Sequence, residues 1–193
     1  MFEDSLIESG GRLKTKRGWT SVVSFLLQLM SAGGETTFRT TTVLLFALLT
    51  QPDQLELVRN DRSLVPFAIE EALRWDGPVI RGTRASTRDV VVDGVLIPAH
   101  SLVNVAFGAA NRDPAVFRVP ERFDVTRERH RHFGFAFGAH NCLGQQLARL
   151  EITYALEAFL NRFPGVHLDP DWPEPRMRGA NMRTPRQLHV AFT

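Results

Sequence analysis

The chain contains a single cysteine, Cys142, and the residues around it are where chemistry could concentrate. It stands in Phe135-Ala136-Phe137-Gly138-Ala139-His140-Asn141-Cys142-Leu143-Gly144, followed by Gln145-Gln146-Leu147-Ala148-Arg149. One cysteine excludes an internal disulfide, a CxxC redox pair and a thiolate zinc cage. It leaves a buried inert thiol, a catalytic nucleophile or an axial metal ligand. The glycine-punctuated segment runs into a helical pattern at the cysteine. A thiolate there faces the helix's free N–H groups and the positive end of its dipole, which hold the sulfur's charge. Gly138 and Gly144 let the backbone approach a flat ligand closely. His140 can aim a donor at an anionic edge of such a ligand. A lone cysteine is most often a small core hydrophobe; these neighbours reverse that expectation. His130, His132, His140 and Cys142 carry zinc-type donors, but only one residue separates His140 from Cys142, tighter than zinc spacing.

Five further constellations accompany the cysteine. In Glu71-Ala72-Leu73-Arg74 the i, i+3 spacing puts both charges on one helix face. Alone, such a pair is an ordinary surface feature. Pro120-Glu121-Arg122-Phe123 follows downstream. Ala32-Gly33-Gly34-Glu35-Thr36-Thr37 places two glycines inside a helical pattern, where they are expected to open the i→i−4 ladder. Its plain reading is a weakened helix with a solvated Glu. Arg84 lies in Arg84-Ala85-Ser86-Thr87-Arg88-Asp89-Val90, with Arg81 as its nearby competitor. The run Arg127-Glu128-Arg129-His130-Arg131-His132 is a solvated surface in its plain reading and a steering patch for an acidic partner in the other.

The elements that must position these residues are mostly helical. Apolar spacing predicts a long helix from about Thr20 to Leu49, interrupted at Gly33-Gly34. Pro52 suits the first turn of a short helix over Asp53 to Asn60. Another helix spans about Leu64 to Trp75, with Pro66 in its first turn. Val90-Val91-Val92 and Val95-Leu96-Ile97 flank Asp93-Gly94, a two-residue hairpin signal. Leu102 to Phe107 reads as a strand or a strand-to-helix passage, and Arg112 to Arg131 as irregular. A last long helix runs from near Asn141 to Phe163, stopped by Pro164-Gly165. The tail from Val166 to Thr193 has short strand-like pieces. The chain is 193 residues, with 44% hydrophobic and 23% charged residues, which excludes wholesale disorder. A net charge of +2 is too small to imply nucleic-acid binding. The longest apolar stretch, Val43 to Leu49, is far short of the ~20 residues a membrane helix needs. Met1 is followed by Phe2, Glu3 and Asp4, with no basic n-region, so no signal peptide is expected. A cytoplasmic setting without membrane contact is expected.

Taken in order, these segments resemble the cytochrome P450 family of haem-thiolate monooxygenases. The resemblance implies haem b (iron protoporphyrin IX) held by Phe135, Gly138, Cys142 and Gly144, with Cys142 as the iron's thiolate ligand. It implies that Arg84 and His140 meet the haem propionates. It implies a buried triad of Glu71, Arg74 and Arg122, a lock of the fold and not a catalytic device. Thr36 is the implied hydroxyl facing bound dioxygen and Glu35 the proton relay. Gly33, Ile80 and Met182 fall where family members line the substrate pocket. The implied reaction inserts one atom of O2 into a small apolar organic substrate, with electrons from a ferredoxin or flavodoxin-type donor. One departure is visible: bacterial members usually carry Gly where Ala136 stands.

The resemblance covers nearly the whole chain, which corresponds to the C-terminal half of the family's sequences. The expected fold is mainly α with small β-sheets, an incomplete, C-terminal haem-binding half of the cytochrome P450 fold. Residues 1–19 are expected to form a polar approach segment and 20–193 the haem-binding part. The alternative function is a truncated haem-binding remnant without monooxygenase turnover. In either case Phe25, Leu29, Met30 and Phe46 are candidates for an exposed apolar patch.

Overall fold

The computed structural model describes residues 16–192. The chain divides into two compact units, residues 1–36 and 37–193. Helix α1, Lys16–Thr50, passes through the boundary. It begins inside the segment expected to be a polar approach, because Lys16 and Arg17 are good helix formers; the rest of that segment lies outside the described residues. The helix also continues through Gly33 and Gly34, so the expected interruption is absent. Two glycines cost about 1 kcal/mol each, which a long ladder on both sides tolerates. In the first unit, Trp19, Phe25, Leu26, Leu29 and Met30 are exposed.

The second unit is built on the C-terminal turns of α1. Proline at position 52 disfavours helical geometry at Gln51, which sits at φ −130° and ends α1. Helix α2, Pro52–Asn60, starts on that proline. Helix α3, Val65–Asp76, ends at Gly77, where a Cβ would come within 2.5 Å of the Leu73 carbonyl oxygen. Strand β1 (Gly82–Ala85) pairs antiparallel with β4 (Leu102–Val105). Between them, β2 (Val90–Val92) and β3 (Val95–Ile97) form the expected hairpin. Its turn residues Asp93 and Gly94 have φ of 47° and 77°, the left-handed pair a type I′ turn requires. A short helix α4, Phe107–Ala110, follows β4. Helix α5 is Gln145–Arg162, and the tail adds β5 (His167–Leu168) with β8 (Val190–Ala191) and β6 (Met177–Arg178) with β7 (Thr184–Pro185). Among the described residues, no helix is long and apolar enough to cross a membrane.

The core of this unit gathers one face from each of the four longer helices: Val43, Leu44, Ala47 and Leu48 of α1, Leu55 and Val58 of α2, Ile69 and Ala72 of α3, and Ile152, Leu156 and Leu160 of α5. All recur at helical spacing. Phe46, expected on an exposed patch, is buried and stacks on Trp75 with ring centroids 6.1 Å apart. The irregular segment 112–131 also enters the core through Phe123 and Val125, both fully buried. A buried irregular backbone must find partners for its polar groups. Here side chains of the helices supply them: the Val125 N–H donates to Gln54 Oε1 (2.9 Å), the Asp124 N–H to Glu71 Oε1 (3.0 Å), and Trp75 Nε1 to the Glu121 carbonyl (2.6 Å).

Candidate functional site

Helix α5 begins at Gln145 with Gly144 as its cap, so Cys142 lies in the loop before the helix, whose start had been expected near Asn141. The loop from Phe135 closes on itself: the Cys142 N–H donates to the Phe135 carbonyl (2.9 Å) and the Asn141 N–H to that of Gly138 (3.0 Å). Residues Gly138–His140 form a 3₁₀ turn between these bonds. Cys142 is half-buried, while Phe137 and Leu143 on either side of it in the chain are largely exposed. Gly138 has φ 67°, and a Cβ added at Gly138 or Gly144 would meet nothing within 4 Å among the described residues.

Ala136 has φ 56°, in the left-handed region. This accounts for the glycine expected at that position. Ala136→Gly is expected to relieve roughly 1–2 kcal/mol of backbone cost and to lose about 0.4–1 kcal/mol through a more flexible unfolded chain. The net should be a gain of up to about 1.6 kcal/mol, read as a higher urea midpoint. A lower midpoint would contradict it.

The loop is anchored from behind. The Phe133 N–H donates to Oδ1 of buried Asn111 (2.6 Å), and the Phe133 ring lies between those of Phe107 (6.5 Å) and Phe137 (6.4 Å). The Asn111 carbonyl in turn accepts from Arg74 Nη1 (3.1 Å). Asn111 thus ties the cysteine segment to the buried charge network, a role that only its place in space reveals.

Within that network, Arg74 grips Glu71 with two parallel bonds, Nε to Oε2 and Nη2 to Oε1, both 2.8 Å. Both side chains are buried. The third member is Arg127, not the expected Arg122. Arg127 Nε donates to Oε1 (3.0 Å) and Oε2 (3.2 Å) of Glu71. The Arg122 side chain is exposed, and only its carbonyl takes part, accepting from Arg74 Nη2 (3.1 Å) and Arg127 Nη2 (2.7 Å). The turn after Phe123 brings position 127 back over Glu71 and aims position 122 outward.

A second cluster, absent from the sequence expectations, surrounds Glu70 of α3. Arg149 of α5 donates Nε to Glu70 Oε1 (2.6 Å) and Nη2 to Oε2 (3.1 Å), and His132 Nε2 lies 3.0 Å from Oε2. The Gly134 N–H donates to His132 Nδ1 (3.1 Å), which assigns the ring proton to Nε2. Burial raises the Glu70 pKa, but the bonds from His132 and Arg149 outweigh it and hold the carboxyl down at about 2. These groups share a cavity of about 600 Å³ with Arg131, Phe135, Phe137 and Asn141.

The basic run is therefore only partly a surface. Arg127 and His132 are committed to Glu71 and Glu70, Arg129 lies over the Phe67 ring (4.0 Å) and Arg131 over that of Phe137 (4.4 Å). Among the described residues no group of three metal-type donors comes together, so the four zinc-type residues are not assembled. Arg84, half-buried on β1, donates Nη1 to the Thr83 carbonyl (2.8 Å); Arg81 and His140 are exposed. Ile80 and Met182 are brought to one region, since Val79 bridges to Met182 and the Arg183 N–H donates to the Pro78 carbonyl (3.0 Å). Gly33, Glu35 and Thr36 lie on α1 in the first unit. Glu35 is exposed, and Thr36 Oγ1 donates to the Ala32 carbonyl (2.6 Å).

Comparisons with known proteins agree on one family. The family model described as Cytochrome P450 matches residues 6–190. The chain is 46% identical over 150 residues to 6-deoxyerythronolide B hydroxylase of Saccharopolyspora erythraea, covering 78% of this chain and 37% of that protein. It is 44% identical over 163 residues to Cytochrome P450 107B1 of the same organism, covering 84% of this chain and 39% of the relative. Among solved structures, the post-tailoring hydroxylase HmtN involved in himastatin biosynthesis superposes with a TM-score of 0.86 at 40% identity, over 97% of this chain and 50% of that one. The chain thus spans well under half the length of these two curated relatives and half of the solved chain.

Proposed function

The chain belongs to the cytochrome P450 family, and from that membership we propose that residues 20–193 are the C-terminal haem-binding part of a haem-thiolate monooxygenase. The observation that carries the reading is the closed loop before α5, in which the Cys142 N–H is bonded to the Phe135 carbonyl and the thiol is half-buried. The residues suit haem b. A lone soft sulfur donor suits iron. Phe137 and Leu143, on either side of it in the chain, are exposed apolar residues, and Gly138 and Gly144 leave backbone room for a flat ligand.

Bound haem would supply activation of O2, which no amino-acid side chain provides. Cys142 would hold the iron as a thiolate, and Arg84 and His140 would orient the group by its propionates. Thr36 and Glu35 would hold and deliver protons through their hydroxyl and carboxylate. Ile80 and Met182 would line part of a pocket for a small apolar organic substrate, and Gly33 is carried over from the family resemblance alone. Electrons would come from a ferredoxin or flavodoxin-type protein, met by the remaining exposed cations Arg129 and Arg131. A cytoplasmic location belongs to the same proposal.

The test is haem loading of the chain and of Cys142→His, followed by reduction and exposure to carbon monoxide. The wild-type chain is expected to show the red-shifted Soret band of thiolate ligation, and Cys142→His to lack it. A variant that keeps the band would remove Cys142 from the iron.

A further inference from the structure

We propose that Arg149 is a positioning residue for the cysteine loop, acting on Cys142 through the ring of Phe135. The guanidinium sits one helical turn into α5, and its nitrogens face partners in a fixed plane. Nε and Nη2 fork onto the two Glu70 oxygens (2.6 and 3.1 Å), and Nη1 points at Gln145 Oε1 (3.2 Å). One face of that plane covers the Phe135 ring, with Cζ 4.5 Å from the centroid. Phe135 is the residue whose carbonyl accepts the Cys142 N–H. A guanidinium that is fixed in plane therefore fixes the ring, and the ring's own backbone fixes the backbone of Cys142.

The same carboxylate secures the other approach to the loop. Glu70 Oε2 also bonds His132, whose Nδ1 accepts the N–H of Gly134, the residue next to Phe135. Glu70 on α3 thus holds the entry of the loop through His132 and its exit through Arg149. The three side chains are only 27%, 10% and 30% exposed for Glu70, His132 and Arg149, so water competes weakly for these bonds. A lysine at 149 could pair with Glu70 but could not lie flat on Phe135 while forking onto both oxygens. This separates loop positioning from a plain ion pair between α3 and α5.

The chain as it stands permits a direct test, because its one cysteine makes any thiol reagent a reporter of Cys142. The rate of reaction of dithiobis(nitrobenzoate) with Cys142 is measured in the wild type, Arg149→Lys, Phe135→Leu and the double variant, with thermal midpoints recorded alongside. Arg149→Lys is expected to raise the labelling rate by about 2- to 5-fold, the range of a lost, partly exposed cation–π contact, with the midpoint nearly unchanged. Phe135→Leu is expected to raise it similarly. Arg149→Lys should add nothing in the Phe135→Leu background, since the two act through one contact. A wild-type labelling rate in Arg149→Lys, or independent additive effects in the double variant, would overturn the proposal. The measurement needs no haem, so its outcome is separate from that of the ligation test.

Discussion

Arg74→Ala is expected to destabilise the fold by about 3–5 kcal/mol, the cost of leaving a buried carboxylate without its main partner. Domains of this size are stable by only about 5–15 kcal/mol, so soluble yield should fall sharply. The reason is local geometry. Arg74 satisfies both Glu71 oxygens and also caps the carbonyls of Asn111, Pro120 and Arg122, so its loss orphans groups on three segments at once. Arg127→Ala should cost less, roughly 1.5–3 kcal/mol for bonds to a charged group, because Glu71 keeps Arg74. Arg122→Ala should stay within about 0.5 kcal/mol, since that side chain is exposed and its carbonyl remains. Urea midpoints of the three variants check the ranking. An Arg122→Ala loss equal to that of Arg127→Ala would mean that the third seat is assigned to the wrong arginine.

Acid is expected to weaken the fold through Glu70. Its carboxyl is held at about 2 in the folded chain, well below the ordinary 4.5, against a burial effect that pushes the other way. A depressed carboxyl contributes stability that is fully present above its unfolded pKa and is lost as pH falls through the folded value. The window therefore runs from about pH 4.5 down to about 2. At 1.36 kcal/mol per pKa unit, reduced for the group's partial exposure, the contribution at neutral pH is about 2 kcal/mol. Glu70→Gln should be less stable than the wild type by about that amount at pH 7, and the gap should close progressively below pH 4.5. A gap that stayed constant from pH 5 to pH 3 would show that Glu70 is not the carboxylate responsible.

Several elements were legible from neighbours in the chain. The hairpin over residues 90–97 follows from Asp93-Gly94, whose backbone freedom is local. Helix α2 begins on Pro52 and α3 carries Pro66 in its first turn, both for reasons contained within a few residues. The cysteine segment is equally self-announcing, because its glycines, histidine and thiol are contiguous. Even the departure at Ala136 was visible, although its cause, a left-handed backbone at φ 56°, was not.

What residue types and spacing could establish was which kinds of group are present and which short stretches would be helix, hairpin or loop. Which groups meet was settled in three dimensions. Arg122 and Arg127 are both arginines of one irregular segment, and no periodicity says which guanidinium turns inward. The direction of the chain after buried Phe123 and Val125 selects Arg127. Glu70 sits beside Glu71 in the sequence but faces another network, because successive residues of a helix point about 100° apart. Its partners Arg149 and His132 are 79 and 62 positions away. Asn111 looks like any loop asparagine until its amide oxygen is found on Phe133 and its carbonyl on Arg74. Chemistry that lies within a turn of chain is written locally; the polar bonds that hold the cysteine loop in place join residues far apart, and only packing brings them within 3 Å or so.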